Sequence, residues 1–302
     1  MTIAPSEAKA LTAFSIAGVN GTVRGANIDL VLPFGMDRGH QIASFTSTGA
    51  SVSVRGAAQS SGATVQDFSA PVPYVVTAAD GSTATFTVTV TSAPSPAKSI
   101  TAFSVGGVQA TVSDHAIHAT LPAGSDPAVQ VAVFTSTGAS VSVDGADQVS
   151  GGLPRDFRRP VAYVVHAADG STATYTVTVD VAKSSAKAIT SFMADDKAGQ
   201  IAENGPGKFT ISVPLFFRSD LNYPLVVGNS GIYRRTVTFA TTGVKVTVDG
   251  VVQKSGTVVD FYRGLGTPPL EPIVYVVTAE DGSTASYTIA PYTLSIAVLA
   301  PN

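Results

Sequence analysis

The residues best suited to contact a ligand are gathered in the last third of the chain. Aromatic and arginine side chains are the types enriched at binding hot spots, and they occur in two stretches, one between Pro214 and Phe239 and one directly after Phe261. The candidate interaction surface comprises Phe216, Phe217, Arg218, Tyr223, Tyr233, Arg234, Arg235, Tyr262 and Arg263. Elaborated loops that pack on their own domain explain the same residues equally well.

Isolated acidic and histidine side chains give weaker signals of chemistry. Asp67, Asp156 and Asp260 each precede a phenylalanine. Because each stands without the clustered oxygens that calcium needs, we expect turn caps rather than metal ligands. His115 and His118 lie three residues apart in a predicted strand, which places their rings on opposite faces and argues against a zinc pair. No Cys and no G-x-S-x-G elbow occurs, so we predict no catalytic residue, no metal site and no cofactor.

The candidate surface belongs to a chain built from one repeated unit. The string Thr-Gly-Ala-Ser-Val-Ser-Val begins at Thr48 and again at Thr137, 89 residues later, and Ala-Asp-Gly-Ser-Thr-Ala-Thr begins at Ala79 and Ala168 with the same offset. In the third copy Asp-Gly-Ser-Thr-Ala begins at Asp281, 112 residues after its predecessor and therefore 23 beyond the regular spacing. Repetition at a fixed period indicates tandem domains, and the two stretches above are insertions in the third copy.

Each copy has the pattern of short alternating strands. Residues 27–32 place Ile28, Leu30 and Leu32 on one face, and residues 72–91 are typical of a hairpin in which Asp80-Gly81 predicts a type I′ turn. The fold class we predict is all-β: three tandem immunoglobulin-like antiparallel β-sandwiches, arranged as beads on a string. They are expected at residues 8–91, 97–181 and 186–302, the third with two loop insertions and an extra C-terminal strand. The first linker, with two prolines, should be the stiffer.

One motif carries a resemblance to a known family. It runs Phe-Thr-Ser-Thr-Gly-Ala-Ser-Val-Ser-Val at 45–54, then Asp67-Phe68, and continues at 74–90 around Thr-Ala-Ala-Asp-Gly-Ser-Thr. This pattern resembles an uncharacterised bacterial Ig-like repeat family that recurs in tandem in predicted secreted and surface proteins. The resemblance covers nearly all of copies 1 and 2 and the framework of copy 3. It implies the fold and an extracellular or cell-surface location, and it brings no catalytic residues.

Composition narrows the classes of partner. Net charge is −3 and charged residues make up 13% of the chain, which gives nucleic acid or an anionic membrane little to bind. No apolar run reaches the length needed to span a bilayer, so we expect no membrane insertion. The residues after Met1 lack the basic and apolar regions of a signal peptide. We therefore expect either a mature form with an added Met or export without a cleaved leader.

The end of the chain suggests assembly. After Pro291, residues 292–299 alternate again with Leu294, Ile296 and Val298 on one face, a candidate assembly strand that either covers repeat 3 or pairs with a neighbouring molecule. The preferred interpretation is a non-enzymatic extracellular structural protein, a surface filament subunit or adhesin stalk, whose partners are other copies of itself in head-to-tail contact or a surface or host ligand. The alternative is a surface protein that binds a glycan or host protein with repeat 3 as its binding tip. A third hypothesis is an enzyme of unknown type confined to the insertions.

Overall fold

The computed structural model describes residues 4–213, 231–263 and 272–289. These residues form β-strands, turns and bends, and none of them lies in a helix of the length and apolarity that crosses a membrane. They confirm the predicted all-β class with three sandwiches in tandem.

Repeat 1 is a sandwich of a four-stranded and a six-stranded sheet. Its strands are β1 (Leu11–Ile16), β2 (Val19–Asn20), β3 (Thr22–Arg24), β4 (Asn27–Leu32), β5 (Gln41–Ser47), β6 (Ser51–Val54), β7 (Ala57–Ala58), β8 (Val65–Gln66), β9 (Val72–Thr77) and β10 (Thr83–Ser92). The smaller sheet has the order β2-β1-β5-β8 and the larger β3-β4-β10-β9-β6-β7. The last strand, β10, pairs antiparallel with β9 and parallel with β4.

Repeat 2 keeps this topology with a smaller first sheet. Its strands are β11 (Ile100–Val105), β12 (Val108–Gln109), β13 (Thr111–Ser113), β14 (Ala116–Leu121), β15 (Ala132–Ser136), β16 (Ser140–Val143), β17 (Ala146–Asp147), β18 (Val161–His166) and β19 (Thr172–Val181). The sheet orders are β12-β11-β15 and β13-β14-β19-β18-β16-β17. Where repeat 1 has strand β8, repeat 2 has one bridge between Gln130 and Arg155.

Repeat 3 has the repeat 1 topology with two longer strands. Its strands are β20 (Ile189–Ala194), β21 (Lys197–Ala198), β22 (Gln200–Glu203), β23 (Lys208–Ser212), β24 (Gly231–Thr241), β25 (Lys245–Val248), β26 (Val251–Val252), β27 (Thr257–Arg263), β28 (Val274–Thr278) and β29 (Thr284–Ile289). The sheet orders are β21-β20-β24-β27 and β22-β23-β29-β28-β25-β26.

An aromatic pair recurs at the centre of each sandwich. Phe14 and Tyr74 lie edge to face with their ring centroids 5.1 Å apart, and the equivalent pair in repeat 2 has the same separation. In repeat 3 the rings of Phe192 and Tyr275 are 5.3 Å apart. Such pairs add about 0.5–1.5 kcal/mol beyond the area they bury. The alternating pattern of β4 is confirmed, since Ile28, Leu30 and Leu32 are all buried; each core is therefore built from the alternate residues that the sequence places on one face.

The turn between β9 and β10 differs from the type I′ turn expected for Asp80-Gly81. Only Gly81 has a positive φ, +84°, whereas a type I′ turn needs positive φ at both central residues. The Gly81 N–H donates to the Ala78 carbonyl at 3.1 Å, and the Ala78 N–H donates to Ser82 O at 2.8 Å. The turn prediction was wrong because Asp also fits the right-handed position of a five-residue loop, where its carboxylate accepts the Ser82 N–H at 2.9 Å.

The same turn holds the segment that enters each repeat. We call this segment the leader; it reads Ser-x-x-Lys and occupies residues 6–9, 95–98 and 184–187. In repeat 2 the Asp169 N–H donates to Ser95 O at 3.1 Å, and Lys98 Nζ donates to Ser171 Oγ at 2.9 Å. Repeats 1 and 3 make the same two hydrogen bonds. Just upstream, the Ala93 N–H donates to Leu32 O in repeat 1 at 2.8 Å. Pro94 alone separates the residue tied to repeat 1 from the residue tied to repeat 2, so this linker is short and held at both ends.

Candidate functional site

The two insertions of repeat 3 border its longest strand pair. Strand β24 has 11 residues where β5 has 7, and β27 has 7 residues where β8 has 2. The first insertion extends into the start of β24, and the second begins within the end of β27. These two strands are the elements that position the described part of the candidate surface.

Antiparallel pairing brings the two insertions together. Gly231 lies opposite Arg263, Ile232 opposite Tyr262, and Arg234 opposite Asp260. Positions 233–235 of the first insertion and 262–263 of the second are thus on adjacent strands at one end of the sheet. The sequence places these residues 27 or more positions apart, and the pairing places them in one backbone patch. The other nominated residues, Phe216, Phe217, Arg218 and Tyr223, and the candidate assembly strand with Leu294, Ile296 and Val298, lie outside the described residues.

Arg235 is tied into the framework at the base of this patch. Its Nη1 donates to Asp195 Oδ2 at 2.9 Å, and Asp195 Oδ1 accepts the Thr236 N–H at 2.9 Å. Asp195 occupies the turn between β20 and β21 with a φ of +51°, a conformation that Asp tolerates better than most residues. The Arg235 Nε is buried and has no hydrogen-bond partner among the described residues. Arg235 therefore fixes the start of the extended strand to the neighbouring turn.

Two of the three aspartates that precede a phenylalanine, Asp67 and Asp156, act in turns, as the sequence predicts. The turn prediction is wrong for Asp260, which lies within strand β27 opposite Arg234, because β27 is longer than its counterpart β8 and extends through this position. Asp67 Oδ1 accepts the Ser69 N–H at 2.8 Å, and Asp156 Oδ1 accepts the Arg158 N–H at 2.9 Å. Hydrogen bonds from the Ser69 hydroxyl and backbone lower the pKa of Asp67. In the part of the chain that the structure describes, no three His, Asp or Glu side chains come close enough together to hold a metal ion.

Repeat 2 has a charged cavity that the shared motifs do not reveal. Its volume is about 780 Å³, and it lies between the β16–β17 turn, the segment before β18 and the start of β18. The lining consists of Asp144, Arg155, Asp156, Arg158, Arg159, Pro160, Val161 and Ala162. The sequence does indicate this charged region when the repeats are compared position by position, because the residues of repeat 1 that align with the lining include one arginine and those of repeat 2 include three.

Comparisons with solved structures give distant likenesses. A putative glycoside hydrolase from Bacteroides thetaiotaomicron is 24% identical over 39% of this chain and 32% of that one, with a TM-score of 0.25; the chain spans about a third of that structure's length. A protocadherin, PcdhgB3 EC1-4, is 10% identical over 91% of this chain and 77% of its own, with a TM-score of 0.23. The SGBP-B of a Bacteroides ovatus mixed-linkage glucan utilization locus, in complex with a heptasaccharide, is 12% identical over 92% and 70%, with a TM-score of 0.16.

The family model gives the firmer result. No curated protein sequence matches the chain significantly. The model described as "SGBP, N-terminal" matches twice, over residues 11–90 and 100–179. Each match starts at the first strand of a repeat, β1 or β11, and ends within its last long strand. Together the two matches cover more than half of the sequence, so the chain belongs to the SGBP N-terminal family of cell-surface glycan-binding proteins.

Proposed function

We propose that this protein is a non-enzymatic glycan-binding protein of the cell surface in which repeat 3 contacts the glycan and repeats 1 and 2 support it. One observation carries the proposal: the family model matches repeats 1 and 2, whereas repeat 3 lies outside both matches and alone has the extended β24–β27 pair. The copy that departs from the shared framework is the copy with the two insertions, which the sequence predicts to be loops, and binding residues are disproportionately found on loops held by a rigid scaffold.

The residue types in the patch suit a carbohydrate. A tyrosine offers a flat apolar ring for the C–H face of a sugar together with a hydroxyl for hydrogen bonding. Arginine offers five N–H donors in a fixed fork for sugar hydroxyls. Tyr233 and Arg234 on β24 and Tyr262 and Arg263 on β27 provide both types on adjacent strands. The extended pair of strands gives these positions a more rigid base than a loop alone.

The filament or adhesin-stalk interpretation has less support. It depends on Leu294, Ile296 and Val298, which lie outside the described residues. Family membership favours the alternative that the sequence offered, a ligand-binding surface protein with repeat 3 as its tip. Deletion of residues 291–302 separates the two functions, because a filament subunit would lose assembly whereas a glycan-binding tip on β24 and β27 would retain its ligand.

The experiment that tests the proposal is affinity electrophoresis of the full chain in gels containing neutral or anionic soluble polysaccharides. The variants are Tyr233→Ala and Tyr262→Ala, and the matched control is His40→Ala, since His40 in repeat 1 stands five residues before Phe45 as Arg234 stands before Phe239. At least one polysaccharide should retard the intact chain, and the tyrosine variants should weaken that binding about tenfold or more. Binding of a neutral polysaccharide that survives both tyrosine variants, or falls equally with His40→Ala, would refute the assignment to repeat 3.

A further inference from the structure

The arginines that line the charged cavity of repeat 2 are absent from the aligned positions of repeat 1. Both repeats have the Asp-Phe turn, and both bury the phenylalanine completely or nearly so. Around it, however, Arg155 replaces Gln66, Arg158 replaces Ser69 and Arg159 replaces Ala70 at the 89-residue offset. Since repeat 1 forms the same turn without these arginines, the fold does not require them.

Two of the three arginines are paired with carboxylates. Arg155 Nη1 lies 3.3 Å from Asp144 Oδ2, and Arg158 Nη2 lies 2.6 Å from Asp156 Oδ2. Arg158 Nε also donates to both oxygens of Asp156, at 3.0 and 3.1 Å. The side-chain hydrogen bond from Arg158 is the main cause that lowers the pKa of Asp156 to about 2. Asp156 is therefore ionised at neutral pH and compensates the charge of Arg158, and Asp144 pairs with Arg155.

The lining of the cavity has one more arginine than it has aspartates, and the additional arginine is Arg159. Its side chain is exposed, and its charge is one of the smaller causes that lower the pKa of Asp156. The chain as a whole carries a net charge of −3, so this local excess has the opposite sign to the protein. An exposed guanidinium at the wall of a concave site is a ready partner for planar anions, which it binds with two parallel N–H donors.

The cavity is a concavity that is partly open to solvent and has a mainly charged lining. Its volume of about 780 Å³ falls within the range of small-molecule sites, roughly 300–1,000 Å³. Its lining residues include no aromatic side chain, so it lacks a stacking platform for a neutral sugar; its apolar part is Pro160, Val161 and Ala162. Recognition here depends on charge.

We propose that this cavity is a second carbohydrate subsite, selective for an anionic group on the glycan, either the carboxylate of a uronic acid or a sulfate ester, with Arg159 as the direct contact. The inference rests on the proposed glycan-binding function and adds an anionic substrate class to it. Asp156 holds Arg158 at the cavity wall, and Asp144 holds Arg155. These two ion pairs form part of the wall and limit the net positive charge of the site.

The test uses pairs of polymers that share a backbone and differ in whether they carry an anionic group. The probes are polygalacturonate and its fully methyl-esterified form for the carboxylate, and dextran sulfate and dextran for the sulfate ester. The variants are Arg159→Ala, which installs the residue that repeat 1 has at this position, and Arg159→Lys. The control is Arg24→Ala, which removes the same charge from an exposed position in repeat 1.

We expect the intact chain to bind one anionic polymer at least about tenfold more tightly than its neutral form, and Arg159→Ala to lose most of that difference. Arg159→Lys should retain part of it, because a point charge replaces a fork, and Arg24→Ala should stay within about twofold of the intact chain, because a distant exposed charge is screened. The polymer that is bound distinguishes carboxylate from sulfate. Equal losses for Arg159→Ala and Arg24→Ala would mean nonspecific attraction and would overturn the site.

A gain-of-function variant tests whether the loss of binding in Arg159→Ala is due only to a change in the structure of repeat 2. Installing Arg55→Asp, Gln66→Arg, Ser69→Arg and Ala70→Arg in repeat 1 of the Arg159→Ala protein should restore anionic binding on the equivalent framework. Failure of this variant, with repeat 1 still folded, would count against the cavity. If the chain binds a neutral glycan and Arg159→Ala does not change its affinity for anionic polymers, this subsite alone is refuted. If the chain binds no polysaccharide, the proposed function is refuted as well.

Discussion

Replacing Gly138 by alanine should destabilise repeat 2 far more than replacing a turn glycine of positive φ in the same repeat. Gly138 lies in the recurring Thr-Gly motif, where the backbone approaches strand β18. A Cβ at this position would lie 2.3 Å from Val165 Cγ1 and 2.8 Å from His166 O. Carbon atoms in good contact are about 3.5–4.0 Å apart, so the added methyl group is short of space by more than 1 Å. The equivalent Gly49 and Gly243 have the same two close approaches.

Neither neighbour can move away easily. Val165 is fully buried, and a β-branched side chain has few alternative rotamers. The His166 carbonyl accepts the Ala139 N–H at 2.7 Å, so shifting it would break a hydrogen bond of the sheet. Overpacking of this kind costs about 1–3 kcal/mol and occasionally more, and we expect about 3 kcal/mol for Gly138→Ala. For a domain of this size that corresponds to a fall in Tm of about 12–24 °C.

Gly170→Ala is the matched control. Gly170 has a φ of +85°, and no atom lies within 4 Å of the point that a Cβ would occupy. Alanine there meets only backbone strain of about 1 kcal/mol, or about 4–8 °C. Scanning calorimetry of the full chain gives the transitions, and hydrogen exchange on repeat 2 peptides assigns the one that moves. A Gly138→Ala protein as stable as Gly170→Ala would show that the strand approach is looser than these distances imply.

Three further predictions concern single side chains. Tyr275→Phe should leave the free energy of unfolding of repeat 3 unchanged or raise it by about 1 kcal/mol, because the buried Tyr275 hydroxyl has no hydrogen-bond partner among the described residues. A lower Tm in calorimetry would contradict this. Lys98→Met should speed exchange of the Asp169 amide, whose acceptor is Ser95 O in the leader, and unchanged protection by NMR would argue against leader clamping. Asp156 has its pKa lowered to about 2 in the folded protein, so its contribution to the stability of repeat 2 is present above the ordinary pKa of Asp and is lost as the pH falls towards 2. Asp156→Asn should therefore flatten the fall in the Tm of repeat 2 between about pH 4 and pH 2, and an unaltered slope would refute this pH dependence.

The cores could be predicted from the sequence because burial follows a strict period of two. The buried face of β4 was predicted correctly, since a strand that alternates can bury only one set of residues, and β9 and β10 alternate in the same way. The turn at Asp80-Gly81 could not be assigned in the same way, because the dipeptide fits two loop types that differ in the φ of Asp80 and in the register of the two strands. The hydrogen bond between Ala78 and Ser82 determines which loop type forms, and the pattern of residue types does not specify this bond.

The leaders and the cavity could not be predicted, for different reasons. Ser-x-x-Lys recurs at the 89-residue step and is visible in the sequence, but its role depends on a turn more than 70 residues away. The arginines that line the cavity are at positions where repeat 2 differs from repeat 1. Recognition of a repeat relies on the residues that its copies share, so it does not draw attention to these positions. For the insertions of repeat 3, the residue types are evident from the sequence, and only the strand register shows that positions 233–235 and 262–263 meet.

The leader also sets an order of events during synthesis. Lys98 and its partner Ser171 are 73 residues apart, so at translation rates of about 5–20 residues per second the partner emerges about 4–15 s after the leader. Through that interval the joint between repeats 1 and 2 has its upstream hydrogen bond only, and a nascent repeat 2 can collapse without being forced against a finished neighbour of nearly the same sequence. The leader of repeat 2 gains its downstream hydrogen bonds only when the final hairpin closes, because both partners lie in the turn of that hairpin. Attachment of the linker to repeat 2 is thus one of the last steps in the folding of that repeat.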